Sequence, residues 1–241
     1  MKLPHLTSLN AAVDRCLAVT TDLRHRFLLL AYARHRLLEV AGRYEELFTP
    51  DMMSPLAVYH MNGAGVSVVL DGQQQIRSLY RMWSQTNQTI FYAEDEEVAV
   101  TDHYVTSVAR VAYQQVSGKS LRANKLLAKL PKFVARRLLD SALAEEKHHA
   151  DDNDMYVQKL YGLQMIWRYD DQGLLLGEDV YEPLAHRAEY IKLDPSQVMK
   201  VATAAQLLGP LIKPLPVYAQ TLMPDGRALA SESGRALAID V

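Results

Sequence analysis

The chain has 241 residues, 49% of them hydrophobic and 22% charged, the balance of a globular protein able to bury a large core without cross-links. Its 26 basic and 28 acidic residues nearly cancel, which leaves no electrostatic footprint for nucleic acid or an anionic membrane. Cys16 is the single cysteine, which excludes an intrachain disulfide and a cysteine-based metal site. Residues 1–14 lack the basic flank and apolar run of a secretory signal, and no apolar run approaches the roughly 20 residues that span a bilayer. The expectation is a cytoplasmic protein.

Residues 7–41 read as helical. Thr7 or Ser8 can cap a short first helix, and Thr21-Asp22 a second, in which Leu23, Phe27, Leu30, Arg34, Leu37 and Leu38 recur at helical spacing. Gly42 marks a break, and this segment reads as a packing hairpin over a core. The stretch 43–83 is the one around which the chain is organised. A helix end, Arg43-Tyr-Glu-Glu-Leu-Phe48, leads into an apolar strand, Leu56-Ala-Val-Tyr-His60. A glycine-bearing loop over 63–72 then precedes a helix with Ile76, Leu79, Tyr80 and Trp83 on one face.

The strongest strand signal follows. Residues 89–93, 97–100 and 104–116 are rich in β-branched and aromatic side chains, and Asp102 stands where a turn is needed, so a long antiparallel hairpin is predicted. Over 119–152 the period turns helical and Pro131 divides the segment in two; its front half is basic, from Lys119 to Arg137, and its back half acidic, ending Asp151-Asp-Asn-Asp154. Strands return at 155–169 and 174–182, joined by the turn Asp170-Asp-Gln-Gly173 and ended by Pro183. Residues 195–208 form one more helix, capped by Asp194 or Ser196, and a proline-bearing extended tail starts at Gly209.

His60 is an ionisable group in an otherwise apolar strand between two amphipathic helices, the setting for a cavity with one reactive side chain in its wall. Tyr59 points the other way on an ideal strand and is a second-rank proton donor. Glu178 shares a face with Leu174, Leu176 and Val180; a carboxyl group there, in an apolar pocket, would have a raised pKa and serve as an acid. Asp179 is the alternative if the register is inverted. Tyr80, Trp83, Tyr104 and Trp167 are candidates to stack on an aromatic substrate. Arg168 and Arg110 lie within strands, where an arginine ordinarily faces solvent or pairs with an acid; Arg168 is kept as a substrate-binding candidate. The cluster Glu145, Glu146, His148, His149, Asp151, Asp152 and Asp154 contains one Glu-x-x-His but no second copy, so no metal site is assigned. Gly118-Lys-Ser120 ends like a phosphate loop, but Tyr113 stands where the first glycine belongs.

The order of elements, with Leu47-Phe-Thr-Pro-Asp51, the strand to His60, Leu70-Asp-Gly72 before the helix to Trp83, and Trp167-Arg-Tyr-Asp-Asp-Gln-Gly173, resembles the NTF2-like superfamily in its SnoaL-like and ketosteroid-isomerase-like branches. The resemblance covers about residues 25–118 and 153–183. It implies an α+β fold: a cone-shaped, curved antiparallel sheet with N-terminal helices around a deep apolar pocket, here with a helical insertion at 119–152 and a C-terminal helix and tail over 184–241, all as one domain of residues 1–241. In the steroid isomerases a carboxylate base lies on the strand after the Phe-x-x-Asp turn, and counting from Phe48 puts His60 in that place. SnoaL-like cyclases carry acid/base residues on the strand of Glu178.

The expected activity is therefore a cofactor-independent lyase or isomerase acting on a small apolar aromatic molecule, with His60 as base and Glu178 or Tyr59 as acid. General character also resembles the bacterial diarylpropane lyases, which remove a hydroxymethyl group from a lignin dimer as formaldehyde and leave a stilbene. An isomerase, dehydratase or cyclase of polyketide or steroid-like molecules is the alternative, and a non-catalytic binding or assembly domain the competing class. The family's sheets commonly pair across their open faces, so a homodimer or larger homo-oligomer is expected.

Overall fold

A computed structural model describes residues 3–63, 66–121 and 154–222, and the backbone of a short strand pair at 229–230 and 236–237. Two helices open the chain, α1 (Ala11–Val19) and α2 (Leu23–Val40). Asp22 caps α2, its carboxylate accepting from the His25 N–H at 2.8 Å, which satisfies one of the free N–H groups of the first turn. Gly42, at φ +68°, ends it, in the left-handed region that favours glycine.

The strands are β1 (Met53–Gly63), β2 (Val66–Asp71), β3 (Phe91–Val100), β4 (Tyr104–Ser117), β5 (Met155–Tyr169), β6 (Leu175–Tyr181) and β7 (Glu189–Lys192), with α3 (Gln73–Gln85) between β2 and β3. They form one open sheet in the order β2-β1-β6-β5-β4-β3, and β7 pairs with β5. The fold is α+β, the class the sequence predicts. Three expectations are corrected. The sheet is mixed, because β1 and β6 run parallel. The predicted glycine loop holds strand β2, whose Val-Ser-Val-Val-Leu run pairs antiparallel with β1. β7, unforeseen, adds to the far end of β5.

Helices α2 and α3 lie on one face of the sheet. Phe27, Leu28 and Tyr32 of α2 and Ile76 and Tyr80 of α3 share a buried cluster with Tyr59, Met165 and Trp167 from the strands. A second cluster, with Leu37, Ile90, Leu193 and Leu208, seats helix α4 (Val201–Leu208) against α2. The chain then returns along α2 to α5 (Tyr218–Thr221), where Tyr218 meets Phe27 edge-on at 4.8 Å. The helical insertion expected at 119–152, the Glu145–Asp152 part of its charged cluster and the tail past 222 lie outside the described residues, the short strand pair excepted. Among the described residues, no helix is long and apolar enough to cross a membrane.

Candidate active site

Strand alternation decides which side chains of β1, β6 and β5 face the helices. Tyr59 pairs with Glu178, and Glu178 with Trp167; one position along, His60 pairs with Asp179. Tyr59, Glu178 and Trp167 point inward and are 1%, 6% and 1% exposed. The next inward row is Met61, Val180 and Met165, about 7 Å further along the strands. Between this face and α2 and α3 lies a cavity of about 240 Å³, roomier than the ~150 Å³ that holds a benzene ring. Leu79, Trp83, Phe91 and Leu160 add apolar wall, while Asn62, Gln114, Gln158 and Glu182 lie toward the other end of the strands.

Glu178 reaches the cavity through a bulge. The register of β5 against β6 shifts between Arg168 and Tyr169, so Leu175 and Glu178 both face inward while Leu176 is 36% exposed. The shared face expected for Leu174, Leu176 and Glu178 is corrected accordingly. Gly177 sits at the bulge because a Cβ there would stand 1.9 Å from the Val58 carbonyl oxygen. That oxygen accepts from Arg168 Nη2 at 3.0 Å.

Helix α2 supplies the other half of the site. Tyr32, His35, Arg36 and Glu39 stand at i, i+3, i+4 and i+7, a single stripe aimed at the sheet. Arg36 and Glu39 line the cavity. Arg36 Nη1 donates to Glu96 Oε2 at 2.9 Å, and Ser107 Oγ donates to Glu96 Oε1 at 2.6 Å, so the buried cation has a buried partner held in turn by a hydroxyl. Tyr80 Oη donates to Glu39 Oε2 at 3.5 Å and lies 3.1 Å from His35 Nε2, which also stands 3.4 Å from Tyr59 Oη. The imidazole edge packs against the Trp167 ring at 4.4 Å.

These contacts set the protonation states. Burial pushes the Glu39 carboxyl up to about 7, against the opposing pull of Arg36 and the Tyr80 hydrogen bond. Burial, then the neighbouring Glu39 and Asp179 charges, raise Glu178 well above the ordinary carboxyl value, which favours its protonated form. Burial holds His35 down to about 3, a neutral imidazole. Burial also raises the Tyr59 and Tyr80 phenols, so both remain hydroxyl donors. The site thus brings together two carboxyls of raised proton affinity and two phenolic hydroxyls, groups that proton-transfer chemistry uses.

Of the residues singled out in the sequence, Tyr59, Glu178, Tyr80, Trp83 and Trp167 line the cavity. His60, Tyr104 and Arg168 do not. His60 lies on the opposite face, its side chain 39% exposed, with Nδ1 2.5 Å from Asp179 Oδ1; Arg168 Nε is 3.4 Å from Asp179 Oδ2. The expected cavity wall built around His60 is corrected: the register of β1 shifts between Met53 and Val58, and the residue that comes inward is Tyr59. Tyr104, at the start of β4, is 45% exposed. His35, Arg36 and Glu39 were missed, although their helical spacing with Tyr32 was the signal.

No family model matches the chain, and no curated protein shows significant similarity to it. Among solved structures it is similar to a candidate polyketide cyclase from Xanthomonas campestris pv. campestris, with TM-score 0.42 and 10% identity over 68% of this chain and 95% of that one. It is also similar to IdmH, a candidate polyketide cyclase from Streptomyces antibioticus, with TM-score 0.38 and 12% identity over 64% and 90% of the two chains. The CaMKII hub of S. rosetta follows, with TM-score 0.37 and 9% identity over 65% and 95%. No residue role is carried across at such identities.

Proposed function

We propose that this chain is a cofactor-independent enzyme that moves protons on a small, mostly apolar carbonyl compound. Isomerases, dehydratases and cyclases of the SnoaL-like kind, acting on polyketide or steroid-like molecules, do the same class of chemistry. The observation that carries this reading is the pair Glu39 and Glu178 in the wall of one apolar cavity, with the Tyr59 and Tyr80 hydroxyls beside them. Paired carboxyls of raised proton affinity in a cleft favour a catalytic site over a binding domain.

In this mechanism Glu39 is the general base. With its pKa near 7 it is about half ionised at neutral pH, where a base combines availability with strength. It takes a proton from the carbon beside the substrate carbonyl. The C–H electron pair becomes the C=C bond of the enolate, and the carbonyl oxygen receives the negative charge. Glu178, neutral and buried, then gives its proton either to another carbon, completing an isomerisation, or to a departing hydroxyl, completing a dehydration. Tyr59 donates a hydrogen bond that holds the reacting end, Tyr80 keeps its own on Glu39, and His35 Nε2 lies beside both hydroxyls. Trp83 and Phe91 offer flat walls to a ring. Elimination of formaldehyde from a diarylpropane loses support, because the base assigned to it, His60, lies outside the cavity.

The test is solvent deuterium uptake. Aryl ketones and 1,3-diketones are incubated with the protein in D2O and followed by NMR. Catalysed exchange at the carbon beside the carbonyl is expected, with loss of roughly 10² or more on replacing Glu39 by Gln. Exchange no faster than buffer across both compound classes counts against the reading.

A further inference from the structure

We infer that Gln114 and Gln158 form a second, uncharged recognition point in the cavity, which receives a hydroxyl group at the end of the substrate away from Glu178. This rests on the reading above, which puts the substrate's carbonyl beside the carboxyls. It makes the substrate an elongated molecule with an apolar middle and a neutral alcohol or phenol at its far end.

Phe91, Gln114 and Gln158 are paired in register across β3, β4 and β5, and all three line the cavity. Side chains directly opposed on antiparallel strands have Cβ atoms about 5 Å apart, so the two amides serve a single ligand position beside the Phe91 ring. Gln114 Nε2 donates to the Gln88 carbonyl oxygen at 3.2 Å. The nitrogen alone can make that bond, so Gln114 Oε1 is left as an acceptor. Gln158 is 5% exposed, yet its side-chain amide has no hydrogen-bond partner among the described residues. Neither its oxygen nor its nitrogen is sealed off from open space, and the space it opens on is the cavity. A buried amide that the protein leaves unpaired takes its partner from what enters the cavity.

Charge and hydrogen bonding select the group. Among the described residues, Arg36 is the one cation in the cavity wall; Glu96 already balances it, and Glu182 adds a carboxyl group to that wall. An anionic end would therefore meet no free positive charge. A hydrocarbon end would leave Gln114 Oε1 and the Gln158 amide desolvated and unpaired. A hydroxyl satisfies both, its O–H donating to Gln114 Oε1 while its oxygen accepts from Gln158 Nε2. Gln158 and Trp167 stand nine positions apart on β5, with Leu160, Leu163 and Met165 lining the cavity between them. That is roughly 30 Å along the strand, so this point is well separated from Glu178, which pairs with Trp167. The two ends read different groups, and the apolar stretch between them sets their spacing.

The experiment measures binding of compounds without an enolisable carbon, so its failure and the failure of the exchange assay are distinguishable. The probes are 4-phenylphenol, 4-methylbiphenyl and biphenyl-4-carboxylate, rods of similar size that end in a hydroxyl, a methyl and a carboxylate. They are titrated at pH 7 and followed by their own fluorescence. Wild-type protein is expected to bind 4-phenylphenol ~10-fold more tightly than 4-methylbiphenyl, and the carboxylate more weakly than either. Gln158→Leu and Gln158→Met, which keep a side chain of similar size, should each bring the ratio of hydroxyl to methyl affinity down to about 1. They should bind 4-methylbiphenyl at least as tightly as wild type does. A damaged cavity would weaken both probes together, so the ratio separates lost recognition from lost folding. Gln164→Leu, at an exposed position of the same strand, should leave the ratio unchanged. Wild type with no preference for the hydroxyl, no binding of 4-phenylphenol to wild type, tighter binding of the carboxylate, or a preference that survives in either Gln158 variant overturns the assignment.

Discussion

On β6, Glu178 and Asp179 are adjacent; on β1, so are Tyr59 and His60; and the register pairs them across the same two strands. One pair looks into the cavity and the other away from the helices. The outward pair has the residues a chemist would choose, an imidazole held by a carboxylate with an arginine behind it. Yet those charges neutralise one another at a face where solvent screens them. The inward set brings carboxyls, phenols and one arginine to the wall, and burial raises the proton affinity of the carboxyls and phenols. Environment, more than residue type, makes the reactive group here. One residue of strand alternation is enough to move a side chain from one regime to the other.

The sharpest break of this comparison swaps each carboxyl for its amide. Glu178→Gln removes the proposed acid and is expected to lower turnover rates by about 10³, within the ordinary worth of a general acid. Asp179→Asn, one residue away, should change them by less than about threefold. Equal losses would mean that burial is not what selects Glu178.

Glu39 sharpens it through pH. If its carboxylate is the base, activity should climb as pH rises through about 7, and Glu39→Gln should flatten that limb while lowering the plateau. Stability should move the other way. The folded-state pKa is raised from 4.5 to about 7, so the native protein holds a proton that the unfolded chain releases. The resulting stability is present below pH ~4.5 and lost as pH rises through about 7, on the order of 3 kcal/mol in all. Glu39→Gln should therefore unfold at higher denaturant concentration than wild type at pH 8, by about 1–3 kcal/mol, and show little difference at pH 4. A variant that loses activity while gaining stability is the signature of a site held under electrostatic strain for function. A destabilised variant at pH 8 would mean that Glu39 is a structural partner of Tyr80.

Much of the fold was legible because its signals are local. The Asp22 cap, the break at Gly42, the β3–β4 hairpin and the turn before β6 each rest on a few neighbouring residues. Tyr80 and Trp83 were readable from a single helical stripe. The site was less legible where its geometry depends on register. Counting from Phe48 cannot see the shift between Met53 and Val58 that turns Tyr59 inward. Counting along β6 cannot see the bulge that exposes Leu176 yet buries Glu178. The stripe Tyr32, His35, Arg36 and Glu39 was hidden for another reason. A charged residue in a helix is ordinarily a solvated one, and only the sheet opposite, with Glu96 placed to pair with Arg36, makes its burial tolerable. Strand β2 is hidden in the sequence because glycines flank its short run of valines.

The smallest effect is expected at His60, and it bears on the outer face alone. His60 and Asp179 are partly exposed, 39% and 15% at the side chain, and the pair is screened. Glutamine keeps the size of the imidazole and a donor toward Asp179. His60→Gln should therefore change stability by no more than about 1 kcal/mol and the exchange rate by less than about threefold. The same variant should be weighed by light scattering, since the His60–Asp179 pair is partly exposed and turned away from the cavity. A change in mass with an unchanged rate would make the His60–Asp179 pair an assembly contact. An unchanged mass with a 10²-fold slower rate, the effect of losing a general base, would instead move the chemistry to the outer face and leave the buried carboxyls without a part in it.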